Sequence, residues 1–288
     1  MAIQISTIQD LINFSEGYYG YGTSSEYLEV ELLNDLDFAD LAVDDVPYNW
    51  AGCVGTWYVH FDGHGHKIDN IYYMDTTRWG FFDILYGSIQ NLKLTNMYVT
   101  STTGTTVGLV FRAYSALIKN CHVSGHIEAL GNQPACGIYR YLDTTVLREC
   151  SVSGKVIGKA SALGLGETVT ANNCKIYNCN VHADITGGTT DALPFTSTNG
   201  FMVNCIYVGK IYAGNASYVG GYSSTLYNCI LVYKAGSSTN FVYNSTFNNC
   251  YYDSTVATAA GFSLTSPTAA TTEQLQSEQW LREHNFAI

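Results

Sequence analysis

The feature that most limits how this chain can fold is an Asn-Cys pair that recurs along its second half. Each pair sits in one frame: apolar residue, any residue, Asn, Cys, any residue, apolar residue. The occurrences that follow one another at a regular spacing are Asn120-Cys121, Asn178-Cys179, Asn204-Cys205, Asn228-Cys229 and Asn249-Cys250, with Glu149-Cys150 as a variant and Asn91-Leu92 and Asn70-Ile71 as apolar versions upstream. Successive frames are 21 to 29 residues apart. A period of roughly 20 to 30 residues is typical of a solenoid, in which each coil stacks on the one before.

The nine cysteines favour a buried column rather than a disulfide framework. Equivalent positions in a parallel solenoid stack about 4.8 Å apart, and Cys is small and apolar enough to fill such a column. We therefore predict free thiols at the six repeated positions: Cys121, Cys150, Cys179, Cys205, Cys229 and Cys250. Cys53, Cys136 and Cys174 lie outside the column, and the sequence assigns them no role.

The Asn before each Cys is explained by a sharp corner of the coil. Asn adopts the left-handed backbone conformation more readily than most residues. Its amide also bonds to an equivalent amide one coil away, as side-chain ladders of stacked strands do. We predict an Asn ladder at the corner, beside the Cys column.

Composition excludes several classes of function. Charged residues make up 13% of the 288 residues, and the net charge is −11. An acidic chain is poorly suited to nucleic acids or anionic membrane surfaces, and a polyanionic glycan is a less natural partner. No apolar run reaches the roughly 18 residues that a membrane-spanning helix needs. We expect neither nucleic-acid binding nor membrane insertion.

Short apolar pieces separated by Gly, Ser, Thr and Asn predict strands throughout, and no coil shows a helical stripe. Each coil places a Gly-centred apolar piece, such as Gly137-Ile138-Tyr139, before its Asn-Cys piece. The predicted fold is all-β, a parallel β-helix solenoid of about 8 coils. Its predicted parts are an N-terminal cap (1–60), the β-helix (61–255) and a C-terminal loop with a capping helix (256–288).

Helices are predicted at both ends of the solenoid, where they would cover unpaired strand edges. Ser6 with Gln9 forms a plausible capping box for a helix that ends near residue 16. Thr271 with Gln274 forms the corresponding box at the C-terminal end.

Five short motifs, in this order, resemble those of the bacterial GLUG-repeat β-helices found in large surface proteins. They lie at residues 5–11 (ISTIQDL), 32–38 (LLNDLDF), 61–68 (FDGHGHKI), 163–166 (LGLG) and 250–253 (CYYD). The resemblance implies a right-handed β-helix with a cell-surface or adhesive role, and it brings no catalytic residues. The last coils depart from the pattern, since Pro194 stands where the Gly-rich core is expected.

One candidate metal site is a run of alternating polar residues. His60, Asp62, His64 and His66 would share one face of an extended strand, and such a set would suit Zn²⁺. The two intervening glycines instead favour a bend, and the GLUG-like motif explains most of this run as turn residues. We favour the structural interpretation and predict no metal.

A second candidate is the acidic stretch from Glu26 to Asp45, whose carboxylates would offer oxygen ligands to Ca²⁺. The stretch lacks the Asp-x-Asp-x-Asp-Gly spacing of a calcium loop. A solvated acidic surface is the favoured interpretation, and no cofactor is predicted.

Polysaccharide cleavage is a weaker alternative, because glycoside hydrolysis needs two carboxylates within about 10 Å. The acids between residues 84 and 250 are Glu128, Asp143, Glu149, Glu167, Asp184 and Asp191. No two share an offset from the nearest repeat position, so none should stack in one column. The 13 basic residues look scattered, whereas lyase chemistry would want them clustered. We predict no enzymatic activity and assign no catalytic residue.

Binding is the better functional prediction, because tyrosines present an apolar face and a polar tip to sugars or proteins. Several are spread along the coils: Tyr139, Tyr141, Tyr207, Tyr212, Tyr218, Tyr222, Tyr227 and Tyr233. Many would simply cover walls and corners, so the sequence assigns no ligand-binding residue among them.

The setting is predicted from the first residues, MAIQISTIQDLINF, which lack the basic start and apolar core of a secretory signal. We expect synthesis in the cytoplasm without a signal peptide. The leading hypothesis is a bacteriophage virion appendage or decoration protein, with a surface glycan or other virion proteins as partners. A domain of a bacterial cell-surface adhesin is the first alternative, and a polysaccharide depolymerase is the second.

Overall fold

Short strands joined by sharp corners build a parallel β-solenoid of about 8 turns, with short helices near both ends. This confirms the predicted all-β solenoid. The protein is represented by a computed structural model, which describes residues 2–169, 174–213, 216–217, 224–235, 245–255, 268–284 and 286. The strands form sheets of 13, 11 and 5 strands, one along each wall of the solenoid.

The three walls are parallel sheets. The main path of the 13-stranded sheet runs through Ile3–Ile5, Leu28–Leu32, Cys53–Asp62, Phe82–Gln90, Val110–Lys119, Val146–Arg148, Lys175–Tyr177, Phe201–Val203, Thr225–Tyr227 and Thr246–Asn248, with Tyr139–Asp143, Gly166–Val169 and Thr196–Thr198 beside it. The 11-stranded sheet holds Leu36–Asp37, Lys67–Asp69, Tyr72–Asp75, Lys93–Ser101, His122–Ala129, Ser151–Gly158, Asn180–Gly187, Ile206–Ala213, Ile230–Ala235, Tyr251–Asp253 and Thr268–Ala270. The 5-stranded sheet holds Thr106–Val107, Ala135–Cys136, Ala162–Leu163, Asp191–Leu193 and Ala216–Ser217.

The predicted Asn corner and ladder are confirmed. All eight residues of the repeated position have φ between 50° and 57°, in the left-handed region: Asn70, Asn91, Asn120, Glu149, Asn178, Asn204, Asn228 and Asn249. Amide side chains bond from coil to coil in this column: Asn120 Nδ2 donates to Asn91 Oδ1 (2.8 Å), Asn204 Nδ2 to Asn178 Oδ1 (3.1 Å) and Asn249 Nδ2 to Asn228 Oδ1 (2.8 Å). Glu149 interrupts the ladder, because its side chain has no N–H group that could donate a hydrogen bond to the next coil.

The predicted cysteine column is also confirmed. All nine cysteines are buried thiols outside any disulfide. The amide of Ser151 donates to the carbonyl of Cys121 and that of Asn180 to Cys150, both at 2.9 Å, which sets successive Cys positions one above the other. Each of the six thiols at the repeated positions also lies close to the backbone carbonyl two residues earlier, as between Cys150 Sγ and Arg148 O (3.2 Å). The column fills the core beside the corner.

Thiol reactivity tests this arrangement. Burial raises the pKa of the Cys53, Cys121, Cys136 and Cys150 thiols well above the ordinary value, and the thiolate is the reactive form. We expect almost no reaction with a thiol reagent in the folded protein and nine reactive thiols in denaturant without reductant. Fewer than nine thiols in denaturant would mean that bridges are present, and rapid labelling of the folded chain would contradict the buried column.

One repeat assignment is wrong. The amide of Tyr98 donates to the carbonyl of Ile71 (2.8 Å), so Ile71 lies beside Met97 and not beside Leu92. Asn91 Nδ2 instead donates to Asp62 Oδ1 (3.0 Å), so the ladder ends on a carboxylate that the strand register sets beside Gln90. The frame failed here because a left-handed Asn marks any sharp corner, and these early coils have more than one.

The N-terminal helix is Ile8–Ser15, and its cap lies one residue later than predicted. Thr7 and Asp10 form the capping box instead of Ser6 and Gln9, because the preceding residues are extended. Ile3–Ile5 form a strand parallel to Leu28–Leu32, which continues the 13-stranded sheet to the start of the chain. Phe14 of the helix packs on Trp57 with 4.6 Å between ring centroids. A short 3-10 helix, Phe38–Leu41, follows in the same region.

The C-terminal helices are Thr272–Gln276 and Glu278–Glu283, and the predicted Thr271–Gln274 capping box is confirmed. Leu275 joins an apolar cluster with Ile230 and Ala270 that is separate from the main core. The strand residues of this cluster alternate along the strands with residues of the main core, so they point to the outside of the solenoid. The C-terminal helices therefore lie on the outer face of the 11-stranded sheet. No helix in the described residues combines the length and apolarity needed to cross a bilayer.

Candidate functional site

A bend in the middle coils creates a concave corner on the outside of the solenoid. The bend falls at Gly108, Gly137 and Gly164, where an added Cβ would lie 2.1, 1.9 and 2.0 Å from a carbonyl oxygen of the next coil. Only glycine permits so close an approach of two backbones. We call this concave corner the elbow, and it lies between the 5-stranded and 13-stranded sheets.

The elbow has its own apolar lining. The residues before the three glycines, Val107, Cys136 and Leu163, form a second cluster apart from the main core, together with Phe111 and Leu193. This explains Cys136, which the sequence left without a role. Phe111 lies at one end of the cluster and is 2% exposed.

An open pocket of ≈ 700 Å³ lies over Phe111, and we call it the arginine pocket. Three of the five arginines of the chain line it. Their guanidinium carbons lie 4.7 Å (Arg78), 5.6 Å (Arg112) and 5.2 Å (Arg140) from the centroid of the Phe111 ring. The negative face of an aromatic ring attracts such cations, so one buried ring organises three positive charges.

Two of the three arginines are paired. Arg78 Nε and Nη2 donate to the two carboxylate oxygens of Asp83 at 3.0 and 2.9 Å, and these bonds raise the pKa of Arg78. Arg140 Nε donates to Glu167 Oε2 (2.8 Å) and its Nη2 to Gln133 Oε1 (3.2 Å). These contacts fix both guanidinium groups at the pocket wall.

Arg112 differs from the other two. It forms no ion pair with another residue in the part of the chain that the structure describes. Its Nε is buried and has no hydrogen-bond acceptor there. Its guanidinium carbon also lies 5.2 Å from the Tyr141 ring centroid. The pocket therefore holds one positive charge without a counter-charge.

A second pocket of ≈ 220 Å³ adjoins the first and shares Arg112 with it. Its other lining residues include Tyr114, Tyr141 and Asp143. Tyr114 continues a stack of rings, since it lies 5.3 Å from Tyr86. The two pockets thus form one concave surface, cationic at the elbow and aromatic along the 13-stranded sheet.

The two acids that pair with the pocket arginines are too far apart for hydrolysis by a carboxylate pair. The strand register aligns Asp83, Phe111, Arg140 and Glu167 in one column. Asp83 and Glu167 are therefore three strand spacings apart, about 14 Å. Glycosidases hold their two carboxylates about 5 to 10 Å apart, and both of these acids already pair with arginine.

The His60 to His66 run does not converge on one point. His60 Nδ1 bonds Ser88 Oγ (3.0 Å), and His66 Nδ1 bonds Asp35 Oδ1 (3.1 Å). His64 has φ 49° and lies in a turn. Asp62 accepts from the backbone amide of His64 at 2.8 Å. The turn interpretation is confirmed.

The acidic stretch from Glu26 to Asp45 also serves the backbone. Asp35 accepts from the amide of Lys67 (3.0 Å), and this bond lowers the pKa of its carboxyl. Asp37 accepts from the amide of Ala39 (2.9 Å) at the start of the 3-10 helix. Among the described residues, no group of three or more His, Cys, Asp or Glu is placed to hold a metal ion.

The six acids considered for catalysis do not gather either. Basic partners of four of them are His126 for Glu128 (2.8 Å), Lys119 for Glu149 (3.9 Å), Arg140 for Glu167 (2.8 Å) and Lys210 for Asp184 (3.8 Å). Burial raises the pKa of Asp191. Asp143 lines the smaller pocket.

The tyrosines divide by exposure. Tyr139 and Tyr207 are fully buried, whereas Tyr212 and Tyr227 are exposed. Of the predicted set, Tyr141 lines the site described above. Tyr218, Tyr222 and the side chain of Tyr233 lie outside the described residues.

The expectation that the basic residues are scattered is wrong, because three arginines converge on Phe111. A sequence signal exists for one column of this pocket, which contains Phe111 and Arg140 but neither Arg78 nor Arg112. Counting three residues on from Gly80, Gly108, Gly137 and Gly164 leads to the column of Asp83, Phe111, Arg140 and Glu167. Offsets counted from the Asn-Cys frames do not reveal this column. The interval from each glycine to the Cys or Leu of the next frame varies from 12 to 15 residues.

These features define a parallel β-solenoid with an arginine pocket on its outer elbow. The solenoid is similar to the crystal structure of a "putative immunoglobulin A1 protease" from Bacteroides ovatus, with a TM-score of 0.51, 16% identity, and coverage of 94% of this chain and 85% of that one. Such a likeness concerns the fold alone. Comparison with protein-family models finds no match, and no curated protein matches the chain. The resemblance to GLUG-repeat β-helices stays a prediction.

Proposed function

We propose that this protein is a non-enzymatic solenoid that binds a carbohydrate through the arginine pocket and the adjoining tyrosines. The observation that carries the proposal is the concave surface itself, which joins guanidinium groups, the Gln133 amide and the Tyr114 and Tyr141 rings. Sugars present hydroxyl groups at their edges and apolar faces, which such side chains match. The stacked parallel coils hold these side chains on strands, which is a rigid support for a binding site.

The setting we propose is the surface of a bacteriophage virion, as an appendage or decoration protein that adheres to host glycans. The motifs that resemble GLUG-repeat surface solenoids support an exposed, adhesive role. A β-helix domain of a bacterial adhesin would use the same surface in the same way. Virion structural genes beside this one would favour the first setting, and a longer parent gene with an anchor would favour the second.

The proposal is tested on a glycan array with two matched tyrosine variants. Tyr141→Ala removes a ring that lines the site. We expect at least a tenfold loss of binding, because stacking on an aromatic ring contributes about 1–3 kcal/mol for a nucleic-acid base, and the apolar face of a sugar packs on a ring in a similar way. Tyr227→Ala removes an exposed ring elsewhere on the 13-stranded sheet and should bind as the parent does. Circular dichroism melting of both variants checks that the fold is intact. An array without hits, or equal loss in both variants, would contradict the proposed site.

Polysaccharide cleavage is the second candidate, and the clustered arginines favour it, since lyase chemistry uses basic groups beside acids. The paired state of Asp83 and Glu167 argues against it, because neither carboxylate is free. Incubation with the glycans that bind, followed by assay for reducing or unsaturated ends, separates the two functions. Release of such ends would overturn the non-enzymatic proposal.

The name of the Bacteroides ovatus protein raises the question of proteolysis. Two Ser–His contacts occur among the described residues: Ser151 Oγ lies 2.8 Å from His122 Nδ1, and Ser88 Oγ lies 3.0 Å from His60 Nδ1. A serine protease also needs a carboxylate that orients the histidine. Within the described part of the chain, no carboxylate oxygen lies within 4.0 Å of either ring. We therefore do not propose a protease.

A further inference from the structure

We propose that the arginine pocket recognises a single carboxylate on an otherwise neutral oligosaccharide, and that Arg112 is the residue that binds it. This inference rests on the carbohydrate-binding function proposed above and names the ligand chemistry of the same site. It follows from the state of Arg112, from the charge around it, and from the shape of the adjoining pocket.

Arg112 has a hydrogen-bond donor that no acceptor meets in the part of the chain that the structure describes. Arg78 and Arg140 are held by Asp83 and Glu167, whereas Arg112 has no carboxylate partner among the described residues. Its buried Nε lacks an acceptor there. A buried donor without an acceptor destabilises a protein, so a ligand oxygen at this point would gain what the free protein lacks. The planar guanidinium matches the two oxygens of a carboxylate.

The charge of the arginine pocket differs in sign from the net charge of the chain. Around Phe111, the three arginines and the two acids paired with them leave one positive charge, at Arg112. Asp143 lies in the adjoining pocket and forms no ion pair with Arg112. The net charge of the chain is −11. A densely charged polyanion would be repelled by the rest of the surface. One carboxylate on a neutral chain would meet the local surplus without this repulsion, which reconciles a cationic site with an acidic protein.

The smaller pocket extends the binding surface beyond Arg112. It begins at Arg112 and continues past Tyr114, Tyr141 and Asp143. A sugar ring that carries the carboxylate at Arg112 would place its next ring against these tyrosines, and Asp143 would accept hydrogen bonds from its hydroxyl groups. The order of chemistry along the surface, cationic and then aromatic, therefore matches an acidic sugar followed by a neutral one.

The test compares sugars that differ only in this charge. Saturation-transfer NMR is measured with methyl β-glucuronide against methyl β-glucoside, methyl β-galacturonide against methyl β-galactoside, and the methyl glycoside of N-acetylneuraminic acid against its methyl ester. We expect contact with the acidic member of at least one pair and none, or at least tenfold weaker binding, with its neutral counterpart. Raising the salt concentration should weaken the acidic sugar only.

Two arginine variants locate the effect. Arg112→Gln keeps a polar side chain and removes the charge, and we expect the dissociation constant of the acidic sugar to rise at least tenfold. Arg282→Gln removes an arginine that pairs with Glu278 on a C-terminal helix, and it should leave binding unchanged. Thermal melting of both variants confirms that they fold.

The outcomes separate this inference from the function on which it rests. Equal binding of the acidic and neutral members, unaffected by Arg112→Gln, would overturn the carboxylate inference and leave carbohydrate binding in place. Equal loss in Arg112→Gln and Arg282→Gln would overturn the assignment to this pocket. Absence of binding by every sugar here, together with an array without hits, would reject the proposed function itself.

Discussion

Replacing Gly137 by alanine is expected to lower the free energy of unfolding by at least about 3 kcal/mol, or to prevent folding. An added Cβ would lie 1.9 Å from the carbonyl oxygen of Gly164 and 2.9 Å from a methyl group of Val152. The carbonyl belongs to the next coil, between the paired strands Ala162–Leu163 and Gly166–Val169, so it cannot move without shifting that coil. Denaturant unfolding followed by circular dichroism measures the loss.

Gly65→Ala is the matched control for this prediction. Gly65 has φ +81°, so alanine is strained there, but no atom lies within 4 Å of the added Cβ. We expect a loss of about 1–2 kcal/mol from backbone strain alone. If Gly137→Ala cost no more than Gly65→Ala, close coil packing at the elbow would not be what requires glycine.

Replacing Glu149 by asparagine is expected to stabilise the solenoid by about 1–2 kcal/mol. Glu149 has φ 57° at a corner where the equivalent residues above and below are Asn120 and Asn178. Asparagine adopts this conformation more readily, and its amide would join the Asn91–Asn120 pair to the Asn178–Asn204 pair. The contact given up is weak, since Glu149 lies 3.9 Å from Lys119 in an exposed ion pair.

Two further variants isolate the cause of this gain. Glu149→Gln removes the charge without placing a short amide at the corner, and it should leave the unfolding midpoint nearly unchanged. Asn178→Glu removes the amide that accepts from Asn204 and places a second Glu at the corner, and it should lower the free energy of unfolding by about the amount that Glu149→Asn raises it. A neutral or destabilising Glu149→Asn would show that the ladder contributes little at this coil.

These predictions show how much of the fold local chemistry determines. The Asn-Cys frame is readable in the sequence because each coil needs a left-handed residue at its corner and a small apolar side chain behind it. Glu149 keeps the same backbone conformation without being Asn, so the frame tolerates exceptions. Asn70 shows the opposite error of the frame. It has the left-handed backbone conformation and fits the sequence pattern, but it lies at a different corner of the coil.

The arginine pocket was hidden for a different reason. Arg78, Arg112 and Arg140 come from three coils and share no motif. Their convergence depends on Phe111, which an outward bend of the chain places outside the main core. A sequence pattern reports which residues face inward, whereas the meeting of outward side chains depends on the bend of each coil.

The sequence by itself determined the solenoid, the corner ladder and the buried thiols, since these follow from demands that every coil repeats. Only the tertiary structure decided where the functional surface lies. The backbone approach at Gly108, Gly137 and Gly164 folds the wall into an elbow, and the strand register then sets one coil's arginine beside another coil's aromatic ring. A repeat can be recognised in the sequence alone, but the elbow forms only when neighbouring coils are in contact.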